Sequence, residues 1–120
     1  MGEIRRYRDL IVWQTAMDLA KQVYVLSKNF PANERFGLTQ QLRRSIVSGP
    51  SNIAEGSGRG TTGDYVRFLH IARGSLFEAR TQLDLAEQLG FTTETDLQRI
   101  LPLCNEIERM LNALITKLTH

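Results

Sequence analysis

A chain of 120 residues and 13.7 kDa has room for one modest core and no second domain, so a single domain over residues 1–120 is expected. Hydrophobic residues make up 42% of it, yet no apolar run approaches the ~20 residues that cross a bilayer, and the charged lead-in MGEIRRYRDL lacks the pattern of a secretory signal; no membrane association and residence in the cytoplasm are expected. The lone Cys104 excludes an internal disulfide, and the net charge of +2 is too small to define a partner by itself.

The distribution of charge says more. Residues 1–34 carry five basic and four acidic groups, residues 35–80 seven and three, and residues 81–120 three and six. The basic middle is all arginine: Arg35, Arg43, Arg44, Arg59, Arg67, Arg73 and Arg80. Arginine suits bidentate contact with phosphate or carboxylate.

In chain order, Val12, Ala16, Leu19, Ala20, Val23 and Leu26 recur at three- and four-residue steps and predict a helix over 10–28. It ends before Pro31, and NFPANERFG reads as a turn. Leu38, Leu42, Ile46, Gly49 and Ile53 predict a second helix over 37–55. Pro50 lies inside it and should kink it, freeing the carbonyl of Ile46 for water or for Ser48 or Ser51. The run GSGRGTTG, residues 56–63, supplies glycines for a left-handed helix end.

Tyr65, Leu69, Ala72, Leu76, Ala79, Leu83 and Ala86 alternate by four and three, the spacing of a bundle seam, and predict a helix over 62–89 capped by Thr61 or Thr62. Gly90 ends it. Leu97, Ile100, Cys104, Ile107, Leu111, Leu114 and Leu118 predict a fourth helix over 95–118, capped by Thr93 or Thr95, with Pro102 near its start and Cys104 a buried thiol. Nothing alternates long enough to form a strand. The expected fold is all-α, an antiparallel up-down-up-down four-helix bundle.

Catalysis finds little support. His70 and His120 are the only histidines, no metal-ligand spacing occurs, and Glu106 and Glu108 point to different helix faces as surface charges. No catalytic residue, cofactor or metal is expected, and the chain is read as not an enzyme. Gly58-Arg59-Gly60-Thr61-Thr62-Gly63 matches G-x-G-x-x-G, but a helix precedes it where the dinucleotide motif needs a strand, so it reads as a helix connection. A phosphate held by Arg59 and the amides of the third helix is the competing reading.

On the second helix Gln41, Arg44, Ser48, Asn52 and Glu55 share one face, and on the third Ser75, Glu78 and Gln82 flank the seam, so Arg44 could meet Glu78 or Glu55. These residues form either a structural polar network or a ligand contact. Arg5, Arg6 and Arg8, near Tyr7 and Trp13, are either a solvated tail or a segment that grips phosphates and stacks on bases. With Arg43, Arg59, Arg67 and Arg73 they are the candidate contacts to RNA or DNA. Alternatively, Arg43, Arg67, Arg73 and Arg80 bridge to other subunits or to a protein partner.

The segments YRDLIVWQTAMDLA, NFPANERFGLTQQLRRSIVSGPSNIAEGSGR and FLHIARGSLFEARTQLDLAEQLGF resemble the small four-helix-bundle proteins named for members encoded in intervening sequences of bacterial large-subunit ribosomal RNA. Trp13, Pro31 with Glu34, Gln41 with Arg44, Ser51 through Gly56, and Gly74-Ser75 carry the likeness, and Gly49 departs from it. The resemblance implies an antiparallel bundle that assembles as a homopentameric ring. It extends to the accessory variability determinant of diversity-generating retroelements, which implies a basic surface for nucleic acid. The chain's own charge pattern agrees with assembly, because a basic middle and an acidic end on neighbouring copies are complementary.

Overall fold

The computed structural model describes residues 7–120. Every regular element there is helical: α1 (Ile11–Ser27), a short 3-10 turn (Ala32–Glu34), α2 (Leu38–Ser57), α3 (Thr62–Gln88) and α4 (Glu94–Thr119), preceded by helical backbone at residues 7–9. The described residues fit within 43 × 23 × 20 Å, and α3, at ~1.5 Å per residue, spans nearly the whole long dimension.

The four long helices share one core. Helix α1 packs on α2 and α4, α3 packs on the same two, and no close backbone approach joins α1 to α3 or α2 to α4. On α3 the buried positions alternate large and small, Leu69, Ala72, Leu76, Ala79, Leu83 and Ala86. The alanines let neighbouring side chains approach the α3 backbone. Pairings show direction: Ser45 with Glu78, Ser48 with Ser75 and Gly56 with Tyr65 run α2 against α3, while Arg73 with Asn112 and Arg80 with Glu108 run α3 against α4.

The helix ends differ from the sequence expectation in instructive ways. No glycine of residues 56–63 is left-handed: Gly58 ends α2 at φ −91°, and Gly90 alone among the described residues has positive φ, 78°, just past α3. Gly56 serves another purpose. A Cβ there would lie 2.7 Å from Phe68 Cβ and 3.2 Å from Tyr65 Cδ1, so the missing side chain sets the approach of α2 to α3. Thr61 and Thr93 are the caps, accepting from the amides of Asp64 and Asp96. Helix α2 is capped from outside, by Glu34 Oε1 accepting the Leu38 N–H at 3.0 Å. Gly37 leaves room for that carboxylate, since a Cβ would meet it at 2.7 Å.

Helix α2 continues through the buried Pro50 to Ser57, two residues beyond the expected end. Ser48 does not serve the Ile46 carbonyl, because its hydroxyl is turned to Ser75. At the end of α4 the buried residue is Ile115, with Leu114 and Leu118 half-buried. A straight helix drifts by ~20° per heptad against a strict seven-residue repeat, which moves the inward position from 114 to 115. Phe30, next to Pro31, is buried against Phe91 with ring centroids 5.9 Å apart, closing the end where the α1–α2 connection meets the start of α4.

Candidate functional site

The expected polar network exists, with a different membership. Asn52 Nδ2 donates to the Ser48 carbonyl at 2.8 Å and to Ser48 Oγ at 3.0 Å, and Ser48 Oγ lies 2.8 Å from Ser75 Oγ. Ser75 uses its one proton on the Ile71 carbonyl at 3.1 Å, so Ser48 is the donor to Ser75 and the chain runs Asn52, Ser48, Ser75, Ile71. Beside it the buried Ser45 hydroxyl donates to the Glu78 carboxylate and lies 3.0 Å from the Gln41 carbonyl. Ser45 was the residue missed by sequence reasoning, although it sits at the same steps as Gln41, Ser48 and Asn52.

Arg44 and Glu55 stand outside this network. Arg44 makes no ion pair within 4.0 Å among the described residues, since Ser45 takes the place beside Glu78 that was expected for it. Glu55 turns to Arg59 at 3.7 Å. The open groove between α2 and α3 is lined by Gln41, Arg44, Ser45, Ser75, Glu78 and Gln82, and the Gln82 Oε1 atom is buried there with no hydrogen-bond partner.

The candidate arginines fall into distinct settings. Arg5 and Arg6 lie outside the described residues. Arg8 is exposed, with its guanidinium 5.5 Å from the Tyr7 ring centroid, and Tyr7 meets Trp13 edge to face at 5.2 Å, so these aromatics pack on one another. Arg59 lies between Glu55 and Asp64, 3.7 and 3.6 Å away, and Arg67 shares Asp64 at 3.8 Å, both guanidinium groups resting on the Phe68 ring. A carboxylate, Asp64, therefore already occupies the start of α3, where the phosphate-binding reading of the glycine loop needed an anion. Arg73 bonds Asn112 at 2.6 Å and His70 at 3.0 Å. Arg80 pairs with Glu108 at 3.0 Å, each side chain about one-third exposed.

Arg43 differs from these. Its Nε donates to the buried Ser27 hydroxyl at 2.9 Å, an Nη reaches the Tyr24 carbonyl at 3.4 Å, and the guanidinium sits 4.7 Å from the Tyr24 ring centroid. All three partners are neutral, and among the described residues no carboxylate lies within 4.0 Å of it. Burial pushes the Cys104 thiol up to about 11, the nearby Arg80 charge opposing the shift, and burial also raises the half-buried Tyr65 phenol. Among the described residues no three His, Cys, Asp or Glu side chains converge as metal ligands, and no helix is long and apolar enough to cross a membrane.

Four long helices around one core, a hydrogen-bonded polar face and arginines held at the surface define a small all-helical protein. The chain belongs to the 23S rRNA-intervening sequence protein family, whose model matches residues 8–113. It is similar to the crystal structure of a protein with unknown function from the S23 ribosomal protein family of Bacteroides thetaiotaomicron VPI-5482, with 24% identity and a TM-score of 0.81 over 88% of this chain and 98% of that one. That likeness is one of fold. No match is found among curated proteins.

Proposed function

We propose that this chain is a noncatalytic, self-assembling adaptor of the cytoplasm: an up-down-up-down antiparallel four-helix bundle whose copies join through the stripe of α3 that borders the α2–α3 groove and whose arginines face RNA or DNA. The observation that carries assembly is one stripe on α3. Ile71, Ser75, Glu78, Gln82, Leu85 and Leu89 follow at steps of four and three, and its apolar members are 41%, 45% and 53% exposed. Large apolar side chains exposed along one stripe make a surface that a second copy completes by covering them.

The acidic stretch of residues 81–120 and the basic stretch of 35–80 set the register of neighbouring copies, and a head-to-tail contact of this kind closes into a ring. Five copies and a nucleic-acid partner are what the sequence resemblance to its family and to the accessory variability determinant suggests. Sedimentation of the Ile71→Glu/Leu89→Glu variant beside the parent chain tests the face: loss of the assembled species with helicity retained supports it, and an unchanged mass excludes it. A protein scaffold without nucleic acid is the second reading, favoured by the internal carboxylate partners of Arg59, Arg67 and Arg80.

A further inference from the structure

We propose that a second groove, on the other side of Arg44, is a binding site for single-stranded nucleic acid, with Arg35, Arg43 and Arg44 on its phosphates and Phe36 and Tyr24 against its bases. The groove has a volume of about 560 Å³, and its lining joins the C-terminal part of α1, the turn before α2 and the outer face of α2. This inference rests on the nucleic-acid part of the adaptor reading and gives it a place.

Three observations carry it. The lining residues include three arginines and no aspartate or glutamate, and none of the three arginines pairs with a carboxylate within 4.0 Å among the described residues. The neighbouring α2–α3 groove, by contrast, sets Glu78 against Arg44. Glu34 is the nearest carboxylate in sequence, and it is committed to the Leu38 amide at the start of α2. The lining itself is therefore net positive, with Glu34 and Glu78 at its margins rather than paired with its arginines.

The second observation is that the cations are positioned. Ser27, the Tyr24 carbonyl and the Tyr24 ring hold the Arg43 guanidinium by neutral groups, so its direction is fixed while its capacity for an anion remains. Arg35 has a ring contact alone, its guanidinium 5.2 Å from the Phe36 ring centroid. The third is the exposure of the aromatics: Phe36 is 78% exposed, more than any other large hydrophobic residue described, and Tyr24 is 40% exposed.

An exposed ring beside an unpaired guanidinium suits a base and its phosphate together. Duplex bases are stacked on one another and cannot lie flat on Phe36, whereas unstacked bases can, so the groove selects the single strand. An acidic peptide would satisfy the arginines and leave the aromatic faces unused.

The test is fluorescence anisotropy with labelled oligouridine, oligothymidine, a duplex and a polyglutamate peptide across a salt series, using the full chain. Three phosphate contacts on a single strand give a slope of log K against log salt of about −2, which is a loss of about 20-fold between 50 and 200 mM. Arg35→Gln/Arg44→Gln is expected to bring the slope to about −0.7, and Phe36→Ala to weaken single-strand binding about tenfold with the slope unchanged. Arg43 is left intact in both because it ties α1 to α2. Unchanged binding in these variants, with loss in Arg5→Gln/Arg6→Gln/Arg8→Gln, overturns the groove and leaves the adaptor reading standing. Failure of the parent chain to bind any oligonucleotide at low salt overturns both, and binding of polyglutamate alone replaces the groove's ligand with an acidic protein segment.

Discussion

Replacing Gly56 by alanine puts a methyl group where α2 lies tight against α3. The new Cβ would stand 2.7 Å from Phe68 Cβ and 3.3 Å from the Tyr65 carbonyl oxygen. Both neighbours are fixed to backbone, so no rotamer change relieves the contact and the helices must part. Overpacking of this kind costs about 1–3 kcal/mol, and the absence of a flexible neighbour places Gly56 at the upper end. Helix propensity returns about 1 kcal/mol, for a net loss of about 2.

Gly74 supplies the control. It lies inside α3 with nothing within 4 Å of its absent Cβ, so Gly74→Ala shows the propensity gain alone, about 1 kcal/mol. At about 4 °C per kcal/mol for a chain of this length, the two variants should melt about 12 °C apart, with Gly56→Ala below the parent. Thermal unfolding by far-ultraviolet circular dichroism at one fixed protein concentration reads the difference, the concentration being fixed because assembly would shift the midpoint. A Gly56→Ala protein as stable as Gly74→Ala would refute the close approach of α2 and α3.

Other consequences follow from single contacts. Glu34→Ala removes the cap on the Leu38 amide and should cost about 1 kcal/mol in urea unfolding, and an unchanged midpoint would show that the carboxylate caps nothing. Arg80 and Glu108, each about one-third exposed, should show a coupling of about 0.5–1 kcal/mol in a double-mutant cycle, with zero coupling excluding the pair. The Cys104 thiol, raised from 9.0 to about 11, stays protonated in the folded chain while an unfolded thiol ionises. Its contribution is complete below pH 9 and is lost as pH rises toward 11, about 2–3 kcal/mol in all. Cys104→Ala should flatten stability against pH in that window, and an identical slope would contradict the assignment.

Much of the fold is legible from period alone. The seam of α3 from Leu69 to Ala86 falls where the four-three spacing places it, because a long amphipathic helix has only one face to bury. What period cannot give is which partner a polar group takes. Ser45 displaces Arg44 from Glu78 because a short, buried hydroxyl on the inner edge of the stripe reaches a carboxylate that a long, exposed arginine overshoots.

The same limit hid the role of Gly56, whose reason lies on another helix, and led the run at 56–63 to be read as a left-handed end. Arg59 and Arg67, candidate nucleic-acid contacts by composition, instead share Asp64, an acid of the first turn of α3. Arg35, Phe36 and Tyr24 carry no periodic signal as a group, since they come from a turn and a helix and meet only in the folded chain.

The central claim is that the chain works as an assembly, and sedimentation equilibrium of the parent protein at micromolar concentration in moderate salt tests it most directly. The account predicts one species with a mass several times the 13.7 kDa of the chain, five times by the family resemblance. A species of 13.7 kDa at every concentration would contradict it.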